Sequence, residues 1–335
     1  MSNDNDQDVL CNYVSQRLTS SPYDLKWIPS SPCILTVGKK TVGGVVKGDL
    51  KIHKFEYIDD KPKLSLEYEG NSISPLRCCS FMRSSTTINN NERIFVTGDF
   101  SGSLLIWDSD KINEPMASNS NTHQGTISSI DTHLESNIIV TGGKDSLVCL
   151  WDKRDIKSPI YKYTCQTKEN SNCWAISTNG KEIICGYENG QLNIFDIKTN
   201  SLKANTRLKG GISSIDISSI NNVQDIGNEF LVSTSQSLIC KMKLQQDKLS
   251  IVKEITTDSE MVWSSKYFNN HPSIYTLMQG DGNAYIYKND QLLKKLSISK
   301  NSPIISFDHN PEKLGLMSCI TLNKQLFVLL SPLTS

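Results

Sequence analysis

The sequence lacks the features that would suit it to a membrane or to nucleic acid. No apolar run approaches the roughly 20 residues of a transmembrane helix, and the opening MSNDNDQDVL has neither a basic leader nor an apolar core. The 35 lysines and arginines balance 35 aspartates and glutamates, which leaves no electrostatic footprint for nucleic acid or anionic lipid. We therefore expect a soluble, cytoplasmic protein with no nucleic-acid or membrane partner.

Metal-binding and catalytic motifs are also missing. The chain has ten cysteines but no C-x-x-C pair, and its five histidines are scattered without a cysteine or carboxylate at ligand spacing. Neither a G-x-S-x-G elbow nor an H-E-x-x-H pair occurs. Cys33, Cys149, Cys185 and Cys240 lie in apolar, strand-like runs. Such positions are typical of reduced thiols that pack as small hydrophobic groups. The sequence predicts no cofactor, no metal and no enzyme.

What the chain does contain is a repeat of short strands. Apolar runs closed by glycine, asparagine or aspartate follow one another without a helical period, which predicts an all-β fold. A bulky residue ends such a run seven times, at intervals of 41 to 52 residues, close to the roughly 40–45 residues of a WD-repeat blade. We therefore predict a seven-bladed WD-repeat β-propeller. The seven anchor residues are Phe55, Trp107, Trp151, Phe195, Met242, Tyr287 and Val328.

The third unit carries the most complete motif. It contains His123, Thr141, Asp145 and Trp151, the residue types that form a hydrogen-bonded relay from histidine to indole in WD-repeat proteins. The other units keep only parts of this set. We expect these four residues to form a structural clamp that ties the strands of one blade together.

A strand-like segment at 9–15 precedes the first complete unit. We expect it to join the last blade and close the ring, because closure removes exposed sheet edges. The expected organisation is a disordered N-terminus at 1–8, one propeller at 9–330 and a C-terminal tail at 331–335. Asparagine-rich segments expected to form surface loops are 86–92, 117–123 and 221–229.

Alignment of the units on their first strands suggests a binding patch. One residue per unit falls where the innermost strand begins, near the rim of the central channel. Tryptophan and arginine are enriched at interface hot spots, so we expect Arg77, Trp174 and Trp263 to bind a partner; packing of the two tryptophans between blades is the alternative. The aligned residues are Leu25, Arg77, Ser128, Trp174, Ser213, Trp263 and Ile305.

Two other functions stay open at this point. W-D-x-R at 151–154 occurs in WD-repeat receptors that dock onto the adaptor of cullin ubiquitin ligases. Asp152 and Arg154 would then mediate docking, with the arginine against the adaptor's acidic surface, and the protein would be a substrate receptor. An enzyme assembled from distant blade loops is the third hypothesis.

Several longer stretches resemble one family, the WD-repeat dynein axonemal assembly factors. The likeness runs in order over nearly the whole chain, while residues 221–260 diverge. Its most specific parts are GDF at 98–100 and PEKLGL at 311–316. The matching stretches are YDLKWIP (23–29), FVTGDFSGSLLIW (95–107), NCWAISTNGKEIICGYENGQLNIFDI (172–197), GGISSIDIS (210–218) and PIISFDHNPEKLGLMSC (303–319).

The resemblance implies a function as well as a fold. It implies a small cytoplasmic propeller that joins the prefoldin-like and RuvB-like ATPase co-chaperone complex. There the protein would act as a non-catalytic scaffold that helps to assemble multisubunit clients such as axonemal dyneins. Its expected partners are that complex, other dynein assembly factors and dynein chains.

Overall fold

The computed structural model of the protein describes residues 11–82, 93–165, 170–217, 229–257, 261–268, 271–300 and 302–331. These residues form strands β1 to β28 and no helix. The strands make seven antiparallel four-stranded sheets arranged as the blades of a propeller. The predicted all-β, seven-bladed architecture is confirmed.

Each blade has one innermost strand, two middle strands and one outer strand. The first blade consists of β2 (Ser21–Trp27), β3 (Cys33–Val42), β4 (Val45–Ile58) and β5 (Lys61–Ser72), and the second of β6 (Leu76–Phe81), β7 (Ile94–Asp99), β8 (Leu104–Asp108) and β9 (Ala117–Asn119). The third consists of β10 (Ile127–His133), β11 (Ile138–Gly143), β12 (Leu147–Asp152) and β13 (Tyr161–Thr164). The fourth consists of β14 (Cys173–Thr178), β15 (Glu182–Tyr187), β16 (Gln191–Asp196) and β17 (Ser201–Arg207). The last three are β18 (Ile212–Ile217), β19 (Glu229–Thr234), β20 (Leu238–Gln245) and β21 (Lys248–Thr256); β22 (Val262–Phe268), β23 (His271–Gln279), β24 (Asn283–Lys288) and β25 (Gln291–Ser297); and β26 (Ile304–His309), β27 (Leu316–Thr321) and β28 (Gln325–Leu330) with β1 (Cys11–Arg17).

The N-terminal strand closes the ring, as predicted. β1 pairs antiparallel with β28 and supplies the outer strand of the seventh blade. The expected loop at 117–123 begins instead with the short outer strand β9. Residues 1–8, 86–92, 221–228 and 332–335 lie outside the described residues.

The strand register corrects two of the seven predicted anchors. In the third blade Cys149 pairs with Thr141, and the anchor Trp151 lies two residues after Cys149. The corresponding residue of the first blade is His53 instead of Phe55, and in the seventh blade it is Leu329 instead of Val328. Consecutive residues are buried on both faces of these strands, so the alternation that would set the register is lost.

In the first blade His53 occupies the position that Trp151 has in the third blade. Its Nε2 lies 3.4 Å from the hydroxyl of Thr36, the residue that matches Thr141 in register. Burial, with the nearby Lys51 ammonium, lowers the pKa of His53 to about 4. The imidazole is therefore neutral at physiological pH and resembles an indole in charge.

The hydrophobic core is distributed around the ring. Seven apolar clusters occupy the interfaces between neighbouring blades. The fit is close: a Cβ built on Gly186 would lie 2.3 Å from the Cγ2 of Ile212 in the next blade. Gly190, in the following turn, has a φ of 84°, which a residue with a side chain adopts at a cost. Glycine is therefore required at Gly186 for close packing between blades and at Gly190 for a positive φ.

Candidate functional site

Every innermost strand carries a β-bulge near its start. In β10, Ile127 pairs with Gly143 and Ser129 with Gly142, which leaves Ser128 outside the ladder. A bulge of this kind re-aims the side chain of the extra residue. All seven bulge residues line the central channel, and we call the end at which they lie the channel mouth. They are Tyr23, Arg77, Ser128, Trp174, Ser213, Trp263 and Ile305.

The structure agrees with the sequence alignment in six blades and differs in one. In the first blade the bulge residue is Tyr23, whereas Leu25 has no solvent exposure and packs in the core between the seventh and first blades. Tyr23 and Leu25 are two residues apart in a strand in which apolar and charged residues alternate, so the pattern of residue types does not distinguish them. Only the interrupted ladder shows which one faces the channel.

Aromatic side chains surround much of the channel mouth. Trp174 and Trp263 are both partly exposed and lie two blades apart. On another side the rings of Tyr23 and Phe100 are 5.1 Å apart. The tryptophans also pack on neighbouring backbone, since a Cβ on Gly211 of the next blade would lie 2.5 Å from the Trp174 ring. Packing and exposure therefore coexist in these side chains.

Two cationic side chains, Arg77 and Lys144, also lie at the channel mouth. Arg77 belongs to the bulge of the second blade, and Lys144 lies in the turn after β11 in the third. The backbone N–H of Lys144 donates to the carbonyl of Thr126, just before β10, which places this turn at the channel mouth. Within the described ranges neither cation has an ion-pair partner. Both line a channel of about 620 Å³.

Deeper in the channel the charges are paired. Lys26 lies 3.1 Å from Asp24, and Lys266 lies 2.6 Å from Asp308. Burial opposes the ionisation of both aspartates, but the neighbouring lysines and hydrogen-bond donors hold the pKa of each carboxyl below its usual value. Burial likewise opposes the charge of Lys26, yet the Asp24 carboxylate raises the pKa of this lysine. These groups are ion pairs at physiological pH.

The channel aspartates also join blades that are remote in sequence. The Oδ2 of Asp308 accepts the backbone N–H of Trp27 at 2.9 Å, across 281 positions of sequence. The Oδ2 of Asp24 accepts the backbone N–H of Cys79 in the second blade at 3.0 Å, and its Oδ1 accepts the hydroxyl of Ser306 in the seventh. The seam between the last and first blades is therefore held by carboxylates.

The same device recurs at two other seams. Asp131 accepts the backbone N–H of Thr178 at 2.9 Å, and Asp216 accepts that of Tyr267 at 2.8 Å. An innermost strand has one edge without a strand partner, and its N–H groups must be satisfied in another way. Side chains of the preceding blade do so, which gives these carboxylates a structural role.

The four clamp residues are hydrogen bonded in series. His123 Nδ1 lies 2.9 Å from Asp145 Oδ1, and Nε2 lies 2.8 Å from Thr141 Oγ1. The indole N–H of Trp151 donates to that same oxygen at 3.0 Å. Because an indole only donates, the hydroxyl proton goes to His123 Nε2, and Nδ1–H faces Asp145. Burial opposes the charge of Asp145, but the bond from His123 holds its pKa below the usual value.

Asp152 and Arg154 lie away from the channel, in the turn after β12. The Nε and Nη2 atoms of Arg154 donate to the two carboxylate oxygens of Asp152 at 2.9 and 2.5 Å. The arginine side chain remains 73% exposed. The pair is accessible to another protein, and its guanidinium already holds one carboxylate.

The described residues contain no cluster of three or more histidines, cysteines and acids that could hold a metal ion. The nine cysteines whose side chains are described are free thiols, and burial raises the pKa of Cys78, Cys149 and Cys185 to about 12. Such thiols carry little thiolate and are poor nucleophiles. No helix in this part of the chain is long and apolar enough to cross a membrane.

The fold and the clamp define the class of protein, a WD-repeat β-propeller. The family model of the WD domain, G-beta repeat, matches residues 116–152, which include the complete clamp of the third blade. The match therefore falls on the blade in which the relay is intact.

Comparison with curated proteins identifies the family. Dynein axonemal assembly factor 10 of Dictyostelium discoideum is 39% identical, over 98% of this chain and 97% of its own length. The proteins of that name from Chlamydomonas reinhardtii and Homo sapiens are 24% and 25% identical, over 95% of both chains in each case. The chain belongs to the dynein axonemal assembly factor 10 family, and the resemblance seen in its sequence is confirmed.

Proposed function

We propose that this protein is a cytoplasmic, non-catalytic adaptor that links the prefoldin-like and RuvB-like ATPase co-chaperone complex to multisubunit clients such as axonemal dyneins. The observation that carries the proposal is the full-length relationship to dynein axonemal assembly factor 10. A rigid ring suits this role because it presents several surfaces without chemistry of its own. Other dynein assembly factors and dynein chains are the further partners in this proposal.

The channel supports a binding role better than a catalytic one. Asp24 and Asp308 are the best placed acids, but both carboxylates accept backbone N–H groups that hold blades together. A general acid or base must be free to exchange a proton with a substrate. Carboxylates with lowered pKa values and structural hydrogen bonds are poorly suited to that work.

We assign partner binding to the channel mouth, through Arg77, Trp174 and Trp263. Partly exposed tryptophans combine a large contact area with few rotatable bonds. Arg77, which has no ion-pair partner within the described ranges, can form charge-assisted hydrogen bonds. All three lie on bulges of innermost strands, each of which is hydrogen bonded to the next strand of its blade. The site is therefore ordered before a partner arrives, which lowers the entropic cost of binding.

Affinity purification of the tagged full-length chain with mass spectrometry tests this function. We expect RuvB-like ATPases and prefoldin-like subunits with the wild type, and their loss from a Trp174→Ala/Trp263→Ala variant that remains folded. Tyr68→Ala is the matched control, because Tyr68 is an exposed aromatic residue on the outer strand of the first blade. Absence of the co-chaperone subunits from the wild-type sample would contradict the adaptor function. Their retention by the mouth variant would contradict the assigned surface.

A second candidate function is that of a cullin ubiquitin-ligase substrate receptor. The exposure of Arg154, held in place by Asp152, favours it. In that case a cullin adaptor co-purifies with the wild type and is lost on Arg154→Ala, while the mouth variant retains it. The two candidates therefore predict opposite responses to the same pair of variants.

A further inference from the structure

We propose that the channel mouth binds an acidic, extended peptide segment of a partner protein, with a carboxylate held by Arg77 and Lys144 and apolar side chains packed on Trp174 and Trp263. This proposal rests on the proposed binding role of the mouth and adds the chemistry of the ligand. It also adds Lys144, which has no counterpart among the residues singled out from the sequence.

The two cations at the mouth, Arg77 and Lys144, are available to a ligand. Lys26 and Lys266, deeper in the channel, are neutralised by carboxylates 3.1 and 2.6 Å away. Arg77 and Lys144 have no such partner within the described ranges, although they lie on neighbouring blades and line the same opening. A guanidinium and an ammonium that line one opening from neighbouring blades suit a carboxylate, which can accept two parallel hydrogen bonds from arginine.

The charges deeper in the channel keep an acidic ligand at the mouth. Three residues beyond the bulges, about 10 Å along an extended strand, the channel lining includes Asp131, Asp216 and Asp308. Lys26 and Lys266 line the channel at the same depth, but together with Asp24 these carboxylates outnumber the two lysines and repel an anion that moves inward from the mouth. A carboxylate is therefore most stable at the level of Arg77 and Lys144. The segment lies across the mouth and does not thread the channel.

A basic ligand is disfavoured by the same arrangement. It would have to pass Arg77 and Lys144 before it reached the aspartates. Those aspartates already accept backbone N–H groups, as Asp131 does from Thr178 and Asp216 from Tyr267. The free charge at the entrance is positive, and charge complementarity points to an acidic partner.

The aromatic side of the mouth has a shape that suits an extended peptide. Trp174 stands between two blades whose bulge residues are serines, Ser128 and Ser213, and one edge of its ring packs against Gly211 of the next blade. Trp263 follows beyond Ser213. Side chains on one face of an extended peptide recur about every 7 Å, which suits a row of alternating large and small receptor positions. The volume of about 620 Å³ lies within the roughly 300–1,000 Å³ of typical ligand pockets.

The proposal is tested with a phage library of random 12-residue peptides selected on the immobilised full-length protein. We expect enrichment of aspartate and glutamate next to leucine, phenylalanine or similar residues. The same selection on an Arg77→Gln/Lys144→Gln variant should lose the acidic preference. Lys209→Gln is the matched control: this exposed lysine precedes β18, on the same face, but does not line the channel.

Fluorescence anisotropy of the best enriched peptide then gives affinities. We expect the Kd to rise on the order of tenfold when the acids of the peptide are replaced by amides, or when Arg77 and Lys144 are replaced. This difference in Kd should become smaller at higher salt, because salt screens the charges. Circular dichroism and the urea midpoint of each variant verify the fold. Selection of peptides without acidic enrichment, or equal affinity for the acidic and amide forms, overturns the proposal.

The peptide selection and the co-purification test the acidic ligand and the adaptor function separately. Peptides rich in lysine or arginine would assign binding to the aspartates and also overturn the acidic-ligand proposal, while the mouth would remain the binding surface. Co-purification of the co-chaperone subunits is measured independently of the peptides. The adaptor function can therefore survive when the acidic-peptide proposal fails.

Discussion

Replacement of Asp308 by asparagine tests how the ring is closed. The Oδ1 of Asp308 accepts the Lys266 ammonium at 2.6 Å and its Oδ2 accepts the backbone N–H of Trp27 at 2.9 Å. Asparagine retains an acceptor for Trp27 but leaves Lys266 without its counter-charge. Loss of one partner from a buried ion pair costs about 3–5 kcal/mol. The two side chains are 18% and 20% exposed to the channel, so we expect about 2–3 kcal/mol after allowance for screening by solvent.

Equilibrium unfolding in urea, followed by tryptophan fluorescence and by circular dichroism, measures this loss. Coincidence of the two signals justifies a single free energy of unfolding. Asp110→Asn, at an exposed turn, is the control for removal of a carboxylate as such and should change stability by less than about 0.5 kcal/mol. The double variant with Lys266→Met should lose less than the sum of the single losses, because no unpaired ammonium remains.

The effect of Asp308→Asn should depend on pH. Burial opposes the charged form, but Lys266, Lys26 and the Trp27 N–H outweigh it and place the pKa of Asp308 in the folded protein below 3.8. A lowered folded-state pKa contributes stability above the unfolded-state pKa and loses it as the pH falls through the folded-state value. The difference between wild type and variant should be full at pH 7 and shrink below about pH 4. Equal stability of Asp308→Asn and Asp110→Asn at pH 7 would refute the reasoning.

Three further predictions concern the core. Trp151→Phe removes the indole bond to the clamp threonine and should lower the free energy of unfolding by about 1–2 kcal/mol; an unchanged urea midpoint would contradict a stabilising clamp. Gly186→Ala places a methyl group 2.3 Å from the next blade and should cost about 1–3 kcal/mol, whereas a neutral result would mean that the blades separate easily. In native protein at pH 8, a thiol reagent should label half-buried Cys33 and Cys165 before the buried cysteines; uniform labelling would show general opening of the blades.

Much of the site was visible in the sequence because a repeat supplies its own alignment. Alignment of the first strands of the units brings Arg77, Trp174 and Trp263 to equivalent positions, and the structure places all three on bulges at the mouth. Lys144 and Phe100 were missed. Both occupy the turn between the second and third strands of their blades, and a search of those turns for residues that face the channel could have found them.

The sequence by itself determined the number of blades, the closing strand, the clamp residues and the family. Each of these depends on local order or on a regular interval, which a linear chain expresses directly. Only the tertiary structure decided the rest: that Tyr23 and not Leu25 faces the channel, that His53 replaces an aromatic anchor, and that Asp308 meets Trp27 across 281 positions. A bulge shifts the alternation by one residue at a point that composition does not mark. Closure of the ring brings together residues whose separation in sequence carries no information about their contact.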